Sequence, residues 1–146
     1  FTYDGRNSTT VTTTVQILDA FNFWKRDQFG DEWQNPAVSG DATNLLSYAF
    51  KAEENAALTT PQIGLTEISG QRHATLSYRR RLDDPALIYQ LECSANLQTW
   101  QPAGGDFIQT NAASNGDGTE TITLRSVQPI NPAQCLMLRL KVQREP

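Results

Sequence analysis

Histidine, cysteine and positive charge are all scarce in this sequence. One histidine, His73, and two cysteines, Cys93 and Cys135, are spread through 146 residues. A structural zinc ion needs four ligands, commonly in closely spaced pairs, so these three residues do not make such a site. A Ser-His-Asp site would have to use His73, which stands at the start of an expected strand with no nucleophile-elbow glycine pattern around it. A Cys-His pair through Cys93 meets another objection, because a thiol among apolar neighbours is unreactive. Phosphate-cradling and dinucleotide-binding glycine motifs are absent. The net charge of −4 argues against a dedicated binder of nucleic acid or anionic membrane, since both need concentrated positive charge. No apolar run approaches the roughly 20 residues that span a bilayer. The acid pairs Asp31-Glu32, Glu53-Glu54 and Asp83-Asp84 lie in turn-like stretches and read as solvated charge. Hydrolysis by paired carboxylates would need two acids in opposed environments across a cleft. The expectation is a non-catalytic protein with no cofactor.

What is present is enough apolar surface for one core, at 38% of residues, in a chain of one domain's length. The chain begins at Phe1 rather than Met, and so reads as a mature product or an excised piece of something longer. Residues 9–18, "TTVTTTVQIL", are rich in β-branched side chains. They predict a strand with Val11, Val15 and Ile17 on one face and threonines over most of the other. No hairpin partner precedes it. It either ends a preceding domain, joins the sheet formed later, or pairs with a neighbour.

Residues 19–61 predict a helical hairpin and a linker. Asp19 can cap a short helix that Gly30 closes. Its rings Phe21, Phe23 and Trp24 are expected to cover one end of a β-core, or to offer a platform for sugar. Asp41 or Thr43 can cap a second helix whose stripe is Leu45, Leu46, Ala49 and Phe50. From residue 62 to 146 the pattern is of strands: "QIGLTEI", "HATLSYRR", "ALIYQLECS", "DFIQT", the stretch after the Asn115-Gly116 and Asp117-Gly118 turn signals, and "CLMLRLKV". Six short strands at regular spacing predict an antiparallel β-sandwich of immunoglobulin or fibronectin type, with Trp100 plugging its core. The basic run Arg79–Arg81 is expected on a solvated sheet surface. Cys93 shares parity with Tyr89 and Leu91, whereas Cys135 shares parity with Arg139 and Lys141. A bridge between the two is open to an exported protein, but opposite parity speaks against it unless a bulge inverts one strand.

The stretches "FWKRDQFG", "NPAVSGD", "NLLSYAF", "LSYRRR", "IYQLECSANLQTW", "DGTETITLRS" and "MLRLKV" occur in this order between residues 20 and 143. Together they resemble a C-terminal module of large secreted or surface proteins of environmental bacteria. That module carries an aromatic helix, "SGD", an acidic calcium-type loop, "NLLEYAF", and a β-sandwich marked by "YTVEVSSDLVTW" and "FLRLRV". The resemblance implies an extracellular or cell-surface accessory unit. The Asp-x-Asp-x-Asp-Gly loop between "SGD" and "NLL" is missing here. Calcium takes six to eight oxygen ligands, so Asp41 reads as a helix cap rather than a metal site.

Two functions are carried forward. One is a structural or interaction module that meets other copies or neighbouring domains through β-strand pairing, at the extreme as a filament, with Val11, Val15 and Ile17 as the pairing residues. The other is a polysaccharide-binding module using Trp24, Trp33 and Tyr48, because sugar rings stack on aromatic faces beside polar partners.

Overall fold

A computed structural model describes residues 19–35, 41–51, 61–131 and 137–145, with the backbone alone for 41–43. The expected strand at 9–18, with Val11, Val15 and Ile17, and also Cys135 lie outside the described residues.

The first helix, α1 (Ala20–Phe29), starts where Asp19 accepts a hydrogen bond from the Asn22 N–H at 2.9 Å. It stops at Gly30, whose φ of +55° suits a residue without a Cβ. A 3₁₀ turn, Gly30–Gln34, follows. The second helix, α2 (Asp41–Ala49), takes Asp41 as its first residue, one step inside the capping position expected of it.

Seven strands come next: β1 (Gln62–Ile68), β2 (Gln71–Arg81), β3 (Leu87–Ser94), β4 (Gln101–Pro102), β5 (Phe107–Ser114), β6 (Thr119–Ser126) and β7 (Met137–Arg144). They form two antiparallel sheets, ordered β1-β2-β6-β5 and β4-β3-β7, and the fold is a β-sandwich. The short β4 is the strand that the sequence pattern does not reveal. Ser69 and Gly70, both at positive φ, make the tight β1–β2 turn. Asn115 closes the β5–β6 hairpin by donating its N–H to the Thr119 carbonyl at 2.9 Å.

Period-two alternation decides what faces inward. Ala74, Leu76 and Tyr78 of β2, Leu91 of β3 and Ile122 of β6 are buried together with Ala103 and Phe107. Leu138 and Leu140 of β7, and Cys93 of β3, pack against them from the opposite sheet. Trp100 is not in this core. It lies half-buried on the loop before β4, with its Nε1 donating to the Leu97 carbonyl at 3.2 Å and the Arg139 guanidinium 4.2 Å from the ring centre. Ala103 and Phe107 fill the space that a plugging ring would have taken.

The two helices close one end of the sandwich. Tyr48 and Ala49 of α2 are buried with Leu87, and Phe21, Trp24, Leu45, Tyr89 and Val142 pack around them. Among the described residues no helix is long and apolar enough to cross a membrane.

Candidate functional site

Two places on the molecule combine unusual chemistry with unusual exposure. The first is the helical end. Tyr48 is 1% exposed, and its hydroxyl donates to the Asp84 carboxylate at 3.0 Å. Arg144 Nε donates to the same oxygen at 3.0 Å, while the Ala86 N–H donates to the other. Burial alone would push the Asp84 pKa up, but these three donors outweigh it and hold the carboxyl below its usual range. The same burial, with the bond to Asp84, drives the Tyr48 phenol well above its ordinary value. Burial pulls the Arg144 pKa down, but the bond to Asp84 and the charges of Asp84 and Asp19 together outweigh it and raise it.

The end of α2 is tied down by the same cluster. A helix leaves its last carbonyls without intrahelical partners. Here Arg81 Nε donates to the Tyr48 carbonyl at 2.9 Å, and the Tyr89 hydroxyl donates to the Ala49 carbonyl at 2.7 Å. That hydroxyl also accepts the Arg81 N–H at 3.0 Å, and burial pushes the phenol up to about 12. The Arg81 guanidinium lies 4.0 Å from the centre of the Tyr48 ring. The basic run is therefore not a solvated strip. Arg79 bonds Asp117 and Thr119, Arg80 bonds Glu120, and Arg81 fastens the helix. Asp83 is exposed as expected, but Asp84 is 5% exposed and not surface charge.

These contacts bear directly on the sugar candidates. Tyr48 has no free face. Trp24 is half-buried against Phe21, Phe29 and Tyr48, and its ring meets that of Tyr48 at 55°. Trp33 is half-buried with the Lys25 ammonium 5.8 Å from its centre. The structure brings Trp24 and Tyr48 together as packing partners, so the pair does not make a flat, open stacking surface.

His73 sits buried in β2 with Nδ1 2.9 Å from the Ser126 carbonyl, a bond to the backbone and not to a carboxylate. Among the described residues no group of three or more His, Cys, Asp or Glu is placed to hold a metal ion. Asp117 in the β5–β6 turn bonds Arg79 and Thr119 as a structural carboxylate. Cys93 is a free, half-buried thiol.

The second place is the flank formed by β1 and β7. Ile63 and Leu65 pair in register with Leu76 and Ala74, two core residues, so their side chains point to the inner face of the sheet. Yet Ile63 is 64% exposed and Leu65 58% exposed. Among the described residues a four-stranded sheet meets a three-stranded one, and the edge strand β1 is left as an overhang. Below the overhang runs a groove of about 760 Å³ lined by Ile63, Leu65, Ala74, Cys93, Ile130 and Leu138 among others. One wall belongs to β7, which pairs only with β3 among the described residues. The alternation in "QIGLTEI" contains the signal for this site, but not the high exposure of Ile63 and Leu65.

No known protein family matches the chain, and none of the curated proteins is similar to it in sequence.

Proposed function

We propose that the chain is a non-catalytic structural and interaction module of a secreted or cell-surface bacterial protein, joining its neighbours through β-strand pairing. The observation that carries this reading is the β1–β7 flank, where a strand edge with no partner among the described residues adjoins inward-pointing but exposed apolar side chains. An extended segment laid there would gain main-chain hydrogen bonds from the edge and bury Ile63 and Leu65 at once, the physics of β-strand addition. The resemblance to terminal modules of bacterial surface proteins supports the location, and the structural role of Asp84 and His73 supports a protein without a reaction. Tyr48, as a buried packing residue, takes away the centre of a sugar platform.

Sedimentation velocity over a concentration series tests the reading. The full chain is expected to gain mass with concentration, and β7 amides to become protected from hydrogen exchange in step. A chain that stays monomeric at every concentration, with its β7 edge exchanging freely, overturns it.

A further inference from the structure

The strand order identifies what the flank lacks. In an immunoglobulin-type sandwich one sheet holds the first, second, fifth and fourth strands, and the other holds the third, sixth and seventh. Here β1, β2, β6 and β5 fill the first sheet, β3 and β7 are the third and sixth strands of the second, and β4 is a short addition beyond β3. A seventh strand would lie along the free edge of β7 and face β1. That is where Ile63 and Leu65 are uncovered.

We infer that this position receives residues 9–18 of a second copy of the chain, inserted antiparallel to β7. The inference rests on the strand-pairing function proposed above and names its donor. Three features of the segment fit. Its alternation offers Val11, Val15 and Ile17 on one face, which suits the apolar side chains Ile63, Leu65, Ile130 and Leu138 that line the groove. Its ten residues extend about 33 Å, enough to cover the eight of β7 at about 26 Å. It contains no proline, so no N–H is missing from whichever alternate residues face the edge.

The donor's copy follows from direction. Asp19, immediately after the segment, sits 3.5 Å from Arg144 at the end of β7. Asp19 itself therefore stands at that end, about 23 Å along β7 from Met137. Laid along its own β7, the segment would run parallel to it. Every strand pair in the described sandwich is antiparallel, and purely antiparallel sheets are the favoured kind. An antiparallel donor must bring Ile17 to the Met137 end, beside Leu138 and Ile130, and only another copy can do so. The donor's helices then emerge beyond the open end of the acceptor, away from the acceptor's own helical cap. Each copy keeps its own groove for the next, so the contact is head-to-tail, and an open series forms where the rotation between copies does not complete a ring.

The experiment uses the full chain with two substitutions made separately, Val15→Asp in the donor segment and Leu65→Lys in the groove, under reducing conditions. Wild type is expected to form a ladder of oligomers by sedimentation velocity, and each variant alone to remain monomeric. Co-refolded from urea, the two variants are expected to give a one-to-one complex and nothing larger, because only one intact groove and one intact donor meet. A labelled peptide of residues 9–18 supplies a second measurement: it should bind the Val15→Asp chain at least 100-fold more tightly than a chain carrying both Val15→Asp and Leu65→Lys. Persistent oligomers of the Val15→Asp chain, sensitive to Leu65→Lys, would overturn the donor assignment and leave edge pairing standing. A wild-type monomer in which residues 9–18 are protected from exchange would overturn both, placing the segment in its own sandwich.

Discussion

The Tyr48 hydroxyl and the Asp84 carboxylate meet at 3.0 Å across 36 positions of sequence, and that bond joins the helical hairpin to the sandwich. Tyr48 enters from α2, and Asp84 stands in the turn between β2 and β3. Removing only the hydroxyl by Tyr48→Phe leaves Asp84 with Arg144 and the Ala86 N–H. The expected cost is about 1.5–3 kcal/mol in urea unfolding, the usual figure for one bond to a charged group. Asp84→Ala strands both the phenol and a largely buried Arg144, whose remaining partner is Asp19. It should cost more, about 3–5 kcal/mol. Equal costs for the two would mean that the phenol, not the carboxylate, organises the joint.

The same groups set the pH range of stability. Asp84 has a pKa lowered in the folded chain, so its contribution is complete above the unfolded value near 4 and is lost as pH falls through the lower folded value. Tyr48, Tyr78 and Tyr89 are raised in the folded chain. Above about pH 10 the unfolded chain releases protons that the folded one keeps, so stability declines there too. Urea midpoints are expected to be flat between roughly pH 5 and 9 and to fall on either side. Tyr48→Phe should soften the alkaline fall, and Asp84→Asn the acid one.

Ile63 and Leu76 are paired in register, yet truncating them should have unequal effects. Leu76 is 2% exposed, and Leu76→Ala is expected to cost about 3 kcal/mol through lost burial and the cavity left behind. At concentrations where the chain is monomeric, Ile63→Ala should stay within about 0.5 kcal/mol, as for an ordinary surface change. Thermal melts of dilute protein decide this. A large cost for Ile63→Ala would show that the groove is already filled within the monomer.

Cys93 reports on the groove from inside. In a Cys135→Ser background, its labelling by a bulky maleimide should slow several-fold as concentration rises, because an inserted strand covers the opening. The Val15→Asp variant should show no such slowing. Concentration-independent labelling in the wild type would contradict occupation of the groove.

Much of the sandwich was legible because alternation and turn chemistry act locally. "QIGLTEI" is β1 residue for residue, and the Gly-containing turns fall where their positive φ angles are needed. Asp19 and Gly30 bound α1 as their chemistry dictates. The failures share one cause, which is that burial depends on partners distant in sequence. Tyr48 looked like an available ring until Phe21, Trp24, Arg81 and Asp84 closed around it. Asp84 read as surface charge because its pairing with Arg144 spans 60 positions. Trp100 was assigned inward by size, although the Leu97 carbonyl and Arg139 hold it at the rim. Ile63 and Leu65 differ in the opposite sense: their inward parity is correct, but no described strand of the facing sheet covers them.

The sandwich's outer borders are unequally defended. At one side β5 carries a register irregularity between Gln109 and Asn111 and displays mostly polar side chains, and β4 is two residues long and ends in Pro102. Bulges, brevity and proline are common guards against adventitious sheet growth. The opposite side has none of the three in β7. Under the strand addition proposed above, a particle protected on one margin and receptive on the other would add new units along a single line, so crowding should yield thin threads rather than shapeless precipitate.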